Sequence, residues 1–212
     1  MNFGELKIKD FTQEVATASP APGGGSVAAL CGALGAALCH MVAGLTLGKK
    51  KYADVEAVML KVKETATLLE KELLVLVDED TLAYSRVTHA LKLPKKTLAQ
   101  IDLRKQAIQD ALKQAAMVPC KTLEKAASAM VLVELVIKKG NPNCFTDAGV
   151  AAELIAAAVQ GSAYNVFVNL MDIEEDGFSM DLKQKVHGIK QDIHKRMTQL
   201  RKTIAQSINM EP

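Results

Sequence analysis

The chain has 212 residues and a formal charge of +2, which suits one domain spanning 1–212 and large enough to bury a substantial core. Half of it is apolar (49%), yet only 4% is aromatic and Trp is absent, so it lacks the stacking surface that single-stranded nucleic acid uses. Nucleic acid is therefore excluded as an expected partner.

Residues 1–10 mix charged and apolar side chains without an uninterrupted apolar run. No signal or transit peptide is predicted, and a cytoplasmic location is expected. Cys31, Cys39, Cys120 and Cys144 form no Cys-x-x-Cys pair, and two lie in an apolar stretch. All four are expected as reduced, buried thiols holding neither disulfide nor metal. Residues 11–18 form a short amphipathic helix that stops before Ser19-Pro20.

The loop Pro20-Ala21-Pro22-Gly23-Gly24-Gly25-Ser26 runs directly into the apolar stretch 27–48. Its prolines forbid helix, its glycines admit close approach, and Ser26 is the expected N-cap of the next helix. Unpaired N–H groups at such a helix start attract an anion, so Pro22, Gly23, Gly24, Gly25 and Ser26 are candidate binding residues. The alternative is a purely structural turn. No Lys-Ser or Lys-Thr pair follows, which excludes a P-loop, and no strand precedes, which argues against a dinucleotide fingerprint.

From Val27 to Gly48 no residue is charged unless His40 is protonated. The length would span a membrane. Ala28, Gly32, Ala36, His40 and Gly44 at four-residue spacing instead form a groove for a second helix, as at the centre of a bundle or oligomer, and no membrane is expected as partner.

Residues 52–90 contain neither Gly nor Pro, and apolar residues from Val55 to Val77 recur every three or four positions. That pattern predicts one helix of about ten turns, ~55 Å long. Its stripe continues through Asp80, Tyr84 and Val87. A carboxylate on a buried face costs several kcal/mol unless it is paired or performs chemistry. Asp78, Glu79 and Asp80 point in three directions, so Asp80 is held inward with Asp78 as a charge-coupled neighbour that raises its pKa. A structural ion pair is the alternative reading of Asp80.

Leu93-Pro94 ends this element. Residues 95–117 form the next helix with Leu98, Ile101, Ile108 and Leu112 inward, Pro119 breaks or kinks it, and 120–139 continue as a more apolar helix. Gly140-Asn141-Pro142-Asn143 then stops the chain, and Thr146 or Asp147 caps a small-residue helix over 148–170. If this helix and the one from Val27 lie side by side, their N-termini meet at one end, which adds Asn141 and Asn143 to the candidate binding residues. Residues 174–177 form an acidic turn, and 181–208 the last amphipathic helix, on which His187 and His194 are surface residues without a third ligand. The fold class is an all-α bundle of six to eight long, Ala-rich helices, with no metal site.

Ser19-Pro20-Ala21-Pro22-Gly23-Gly24-Gly25-Ser26-Val27-Ala28-Ala29 and Leu45-Thr46 with Lys49-Lys50-Lys51-Tyr52 resemble the start of the cyclodeaminase/cyclohydrolase family. The likeness continues through Leu76-Val77-Asp78-Glu79-Asp80-Thr81, Val118-Pro119, Gly140-Asn141, Asp147-Ala148-Gly149-Val150-Ala151-Ala152 and residues 165–170. The resemblance implies an all-helical dimer or larger assembly acting on a one-carbon group of tetrahydrofolate. Members release ammonia from formiminotetrahydrofolate or hydrolyse methenyltetrahydrofolate. The tetrahydrofolate derivative is then substrate, with no tightly bound cofactor, and a separate enzyme supplies it because 212 residues leave no room for a transferase half. Both reactions need a proton donor and a base, for which Asp80 and Asp147 are the candidates. Lys49, Lys50 and Lys51 are a landing site for a polyglutamate tail or, alternatively, a solvated helix terminus. The competing function class is a non-enzymatic helical scaffold, which leaves the glycine loop and the inward Asp80 unexplained.

Overall fold

The computed structural model describes residues 2–208. Its helices are α1 (Ile8–Val15), α2 (Gly24–Thr46), α3 (Glu56–Leu91), α4 (Leu98–Lys139), α5 (Phe145–Leu170) and α6 (Asp176–Ser207), and no strand occurs among the described residues. The long gap-free pattern after Tyr52 does fold as one helix, preceded by a 3-10 turn at Lys50–Val55. Short connections join α2 to α5, so each helix reverses on the one before it and the four close into an up-down-up-down bundle. α6 lies across α4 and α5, tied at the surface by the bidentate Arg201–Glu153 pair.

Small residues set the approach of α2 to its neighbours. Ala29, Ala33 and Ala36 are buried in one continuous core with Ala151, Ala152 and Ala158 of α5, and Ala28 is buried against Gly161. A Cβ on Gly32 would lie 3.2 Å from Leu73, and one on Gly35 would lie 2.7 Å from Ile155 and 3.2 Å from the Ala151 carbonyl oxygen. Gly44, at the end of the expected four-residue groove, is exposed with open space beside it. By length and apolarity α2 would span a membrane, but half of it is buried inside the bundle. The side away from the core exposes Leu34, Met41 and Leu45, with Leu30 and Leu38 half-buried among them.

Several expectations are corrected. The first helix begins at Ile8 rather than Phe11, and the last begins at Asp176, which absorbs half of the expected acidic turn. Leu98 and Ile101, expected inward, are exposed. Pro119 does not break α4, which runs unbroken for 42 residues. The ring is buried in the bundle, and the Ala115 carbonyl that Pro119 cannot serve accepts a hydrogen bond from Asn169 Nδ2 of α5 at 2.9 Å. Finally, α2 and α5 are antiparallel: Gly24 lies opposite Asn165, and Gly35 opposite Ile155. Their N-termini therefore stand at opposite ends of the bundle, with three chain reversals between the two helices.

Candidate active site

The N-terminus of α2 is built without a side-chain cap of its own. Gly23 occupies the N-cap position in an extended conformation, and Gly24, Gly25 and Ser26 are already helical. Ser26 is therefore not the N-cap. It is the third helical residue, and the carboxylate that satisfies it comes from α3: Ser26 N–H donates to Asp80 Oδ2 at 2.9 Å. Ser26 Oγ donates to the Val77 carbonyl at 2.8 Å and lies 3.1 Å from the same Oδ2. Asp80 thus performs from a neighbouring helix the capping that a local Ser or Asp usually performs.

Gly25 is what lets the carboxyl group in. A Cβ there would sit 2.1 Å from Asp80 Oδ1 and 2.5 Å from its Cγ. Oδ2 is held by Ser26, whereas Oδ1 has no donor among the described residues. Burial pushes the Asp80 pKa up from the usual carboxylate value, and the two hydrogen bonds from Ser26 pull it partly back. A half-buried carboxyl group with one oxygen anchored and one free is suited to exchanging a proton with a ligand.

Asp80 lines a cavity of about 370 Å³. Its floor is Pro20, Ala21, Gly23, Gly24 and Gly25, while Pro22 and Ser26, expected among the binding residues, are buried and do not line it; α3 adds Asp80, Tyr84 and Val87. Leu112 and Ala115 of α4 and Asn165, Val168 and Asn169 of α5 form the far wall. Tyr84, expected in the core, is 43% exposed and stands at the mouth, because α3 here passes the end of α2 and faces the cavity instead. Asn165 and Asn169 were missed as site residues. Their sequence signal is two polar side chains four apart on an otherwise apolar helix face.

The other candidates lie elsewhere. Asp78 points to the N-terminal segment and accepts hydrogen bonds from Phe3 N–H at 2.6 Å and Gly4 N–H at 3.3 Å. It caps that turn, and burial, not a neighbouring charge, is what raises Asp80. A larger groove of about 810 Å³ beside Asp78 offers only this already engaged carboxylate and the solvated Glu5 and Glu79 as acids. Lys49, Lys50 and Lys51 are exposed just past the far end of α2, ~33 Å from Gly24 at 1.5 Å per residue. Asn141 is at that same far end and is structural: its N–H donates to Thr46 Oγ1 at 2.9 Å, its Nδ2 to the Leu45 carbonyl, and its Oδ1 accepts from Tyr52 and from Asn143 N–H. Asn143 is exposed in that turn. Asp147 is not the cap of α5, since Cys144 holds that position; it is half-buried in the first turn, ~27 Å along α5 from Asn165. Within one chain, then, the glycine loop and Asp80 come together, while the lysines, Asn141, Asn143 and Asp147 gather at the opposite end. Three of the cysteines are unsuited to nucleophilic work: burial raises the Cys31 and Cys120 thiols and pushes the Cys39 thiol up to about 12.

The sequence profile described as formiminotransferase-cyclodeaminase matches residues 7–188. Methenyltetrahydrofolate cyclohydrolase of Methylorubrum extorquens is 35% identical over 206 residues, covering 97% of this chain and 99% of that protein. Formimidoyltransferase-cyclodeaminase of Rattus norvegicus is 34% identical over 188 residues, and the chain spans only 35% of its length. The crystal structure of formiminotetrahydrofolate cyclodeaminase from Thermotoga maritima superposes with a TM-score of 0.87 at 29% identity, covering 96% of this chain and 98% of that one. The matched span contains every wall of the Asp80 cavity, floor to α5, and the chain belongs to the formiminotransferase-cyclodeaminase family.

Proposed function

We propose that this protein is a folate-dependent one-carbon enzyme, a formiminotetrahydrofolate cyclodeaminase or methenyltetrahydrofolate cyclohydrolase, in which Asp80 transfers the protons. The observation that carries this reading is that Asp80 lines the cavity with one carboxyl oxygen anchored by Ser26 and the other without a donor among the described residues. In cyclodeamination the N10 nitrogen attacks the carbon of the protonated formimino group, whose nitrogen becomes an amino group, and the N10 proton passes to the carboxylate. The same carboxyl group then protonates the departing amino group, which leaves as ammonia while the methenyl ring closes. In hydrolysis, water attacks the methenyl carbon and gives Asp80 a proton. Asp80 passes it to N5 as the C–N5 bond breaks, and the new hydroxyl releases its own proton to solvent to leave the formyl group. One residue serves as base and then acid in either direction, and a pKa raised by burial brings it nearer working pH for both roles. The scheme requires no tightly bound cofactor.

The test offers methenyltetrahydrofolate and formiminotetrahydrofolate separately and follows the methenyl absorbance. A fall with the first substrate identifies the cyclohydrolase and a rise with the second the cyclodeaminase. No change with either would overturn the reading.

The exposed apolar side of α2 supports a homodimer or larger assembly. Lys49, Lys50 and Lys51 stand too far from Asp80 to share a ligand with it inside one chain, so a polyglutamate tail would reach them only across such an interface. Equilibrium sedimentation should give a mass of at least two 22.8 kDa chains; a single-chain mass would sink this assembly. The four free thiols fit a reducing, cytoplasmic setting.

A further inference from the structure

Pro119 has no N–H, so the Ala115 carbonyl loses the donor that would continue α4. Asn169 supplies one from α5, with Nδ2 donating to that carbonyl at 2.9 Å. This bond orients the whole amide, because an NH2 group turned onto a carbonyl leaves Oδ1 facing away from it. Asn165, one turn earlier on the same helix, is oriented differently, its Nδ2 donating to the Gly161 carbonyl of its own helix at 2.9 Å. Both side chains line the Asp80 cavity, and neither Oδ1 has a donor among the described residues. Two oriented acceptors, neighbours on one helix face, match a ligand edge with two adjacent N–H donors. On a reduced pterin ring that edge is the 2-amino group with N3–H.

Resting on the folate reading above, we propose that Asn169 accepts from the 2-amino group and Asn165 from N3–H of the substrate, and that Pro119 is a positioning residue that orients Asn169 through the Ala115 carbonyl. The proline is then part of the site although its ring touches no ligand. A ligand lacking the donors leaves acceptors unpaired, which is a strong basis for discrimination.

Tetrahydrofolate and its 2-desamino-2-methyl analogue test this by titration into the protein. Wild type should bind the analogue about tenfold more weakly. Asn169→Leu should bind the two ligands within about threefold of each other, because the acceptor that told them apart is gone. Pro119→Ala returns an N–H to Ala115 and so competes with Asn169; it should weaken tetrahydrofolate severalfold while raising the melting temperature, opposite shifts that a purely structural proline would not produce. Undiminished discrimination in Asn169→Leu, or unchanged affinity in Pro119→Ala, would overturn the proposal. So would loss of discrimination in Asp172→Asn instead, since Asp172 is the exposed carboxylate at the cavity mouth. If Asp80→Asn retained full turnover, the folate site itself would be misplaced; if it is inactive while Asn169→Leu still discriminates, only the amide assignment fails.

Discussion

Asp80→Asn should lower turnover at least ~10²-fold on whichever folate derivative the enzyme accepts, while the fold and ligand affinity survive. Asn keeps the shape, and its Oδ1 still accepts from Ser26 N–H, but it neither takes nor gives a proton. The pH profile carries a second sign of the same group. Asp80 must be ionised to act as base, so the acid limb of the wild-type profile should lie above the ordinary carboxylate value of 3.8, displaced by burial, and Asp80→Asn should remove it. Stability moves the other way. A carboxyl group whose native pKa is raised contributes stability that is fully present below its unfolded value and is lost as pH rises through the native value. Above that native value the folded state therefore holds an ionised, partly desolvated group that Asn replaces without charge. Melting curves should place Asp80→Asn level with or above wild type at pH 7, with that advantage fading at low pH. An active Asp80→Asn variant would make the residue a structural cap for α2 and nothing more.

Gly25→Ala should abolish activity to a similar extent, at least ~10²-fold, and should lower stability as well. Helix propensity alone predicts the reverse, since Ala is favoured over Gly by roughly 1 kcal/mol inside a helix. The new methyl group would fall 2.1 Å from Asp80 Oδ1 and 2.7 Å from Oδ2, so the carboxyl group must swing out and release Ser26. Overpacking of this kind costs about 1–3 kcal/mol, which outweighs the propensity gain. The cause is separable from general damage to the loop: in a Gly25→Ala/Asp80→Gly double variant the clash is gone and the melting temperature should recover, a non-additivity expected only of groups in contact. A stable, active Gly25→Ala protein would show that the glycine is there for the turn alone.

Asp80 was legible because a helix reports its own faces. Leu73, Leu76 and Val77 set the buried stripe of α3, and Asp80 follows them in register, so its inward direction needs no knowledge of the partner. Asp78 sits two residues earlier on another face and carries no local mark of its role; the Phe3 and Gly4 N–H groups it caps are 75 and 74 residues away in sequence. Asn169 was visible only as a polar residue in an apolar helix. Its orientation depends on the Ala115 carbonyl of a different helix, freed by a proline that from the sequence alone is expected to break or kink α4.

By itself the sequence determined that the chain is all helix, that α2 begins at a glycine loop and packs through small residues, and that one carboxylate of α3 turns inward. Apolar periodicity is a property of a single helix and survives any arrangement of its neighbours. Which helix ends meet is a property of the pairs. Three chain reversals and the close contacts at Gly32 and Gly35 run α2 antiparallel to both α3 and α5, which sets Asp80 and Asn165 at the glycine loop and sends Asn141 and Asp147 to the far end of the bundle. Only the tertiary structure decided that, because an antiparallel pair places the N-terminus of one helix beside the C-terminal turns of the other.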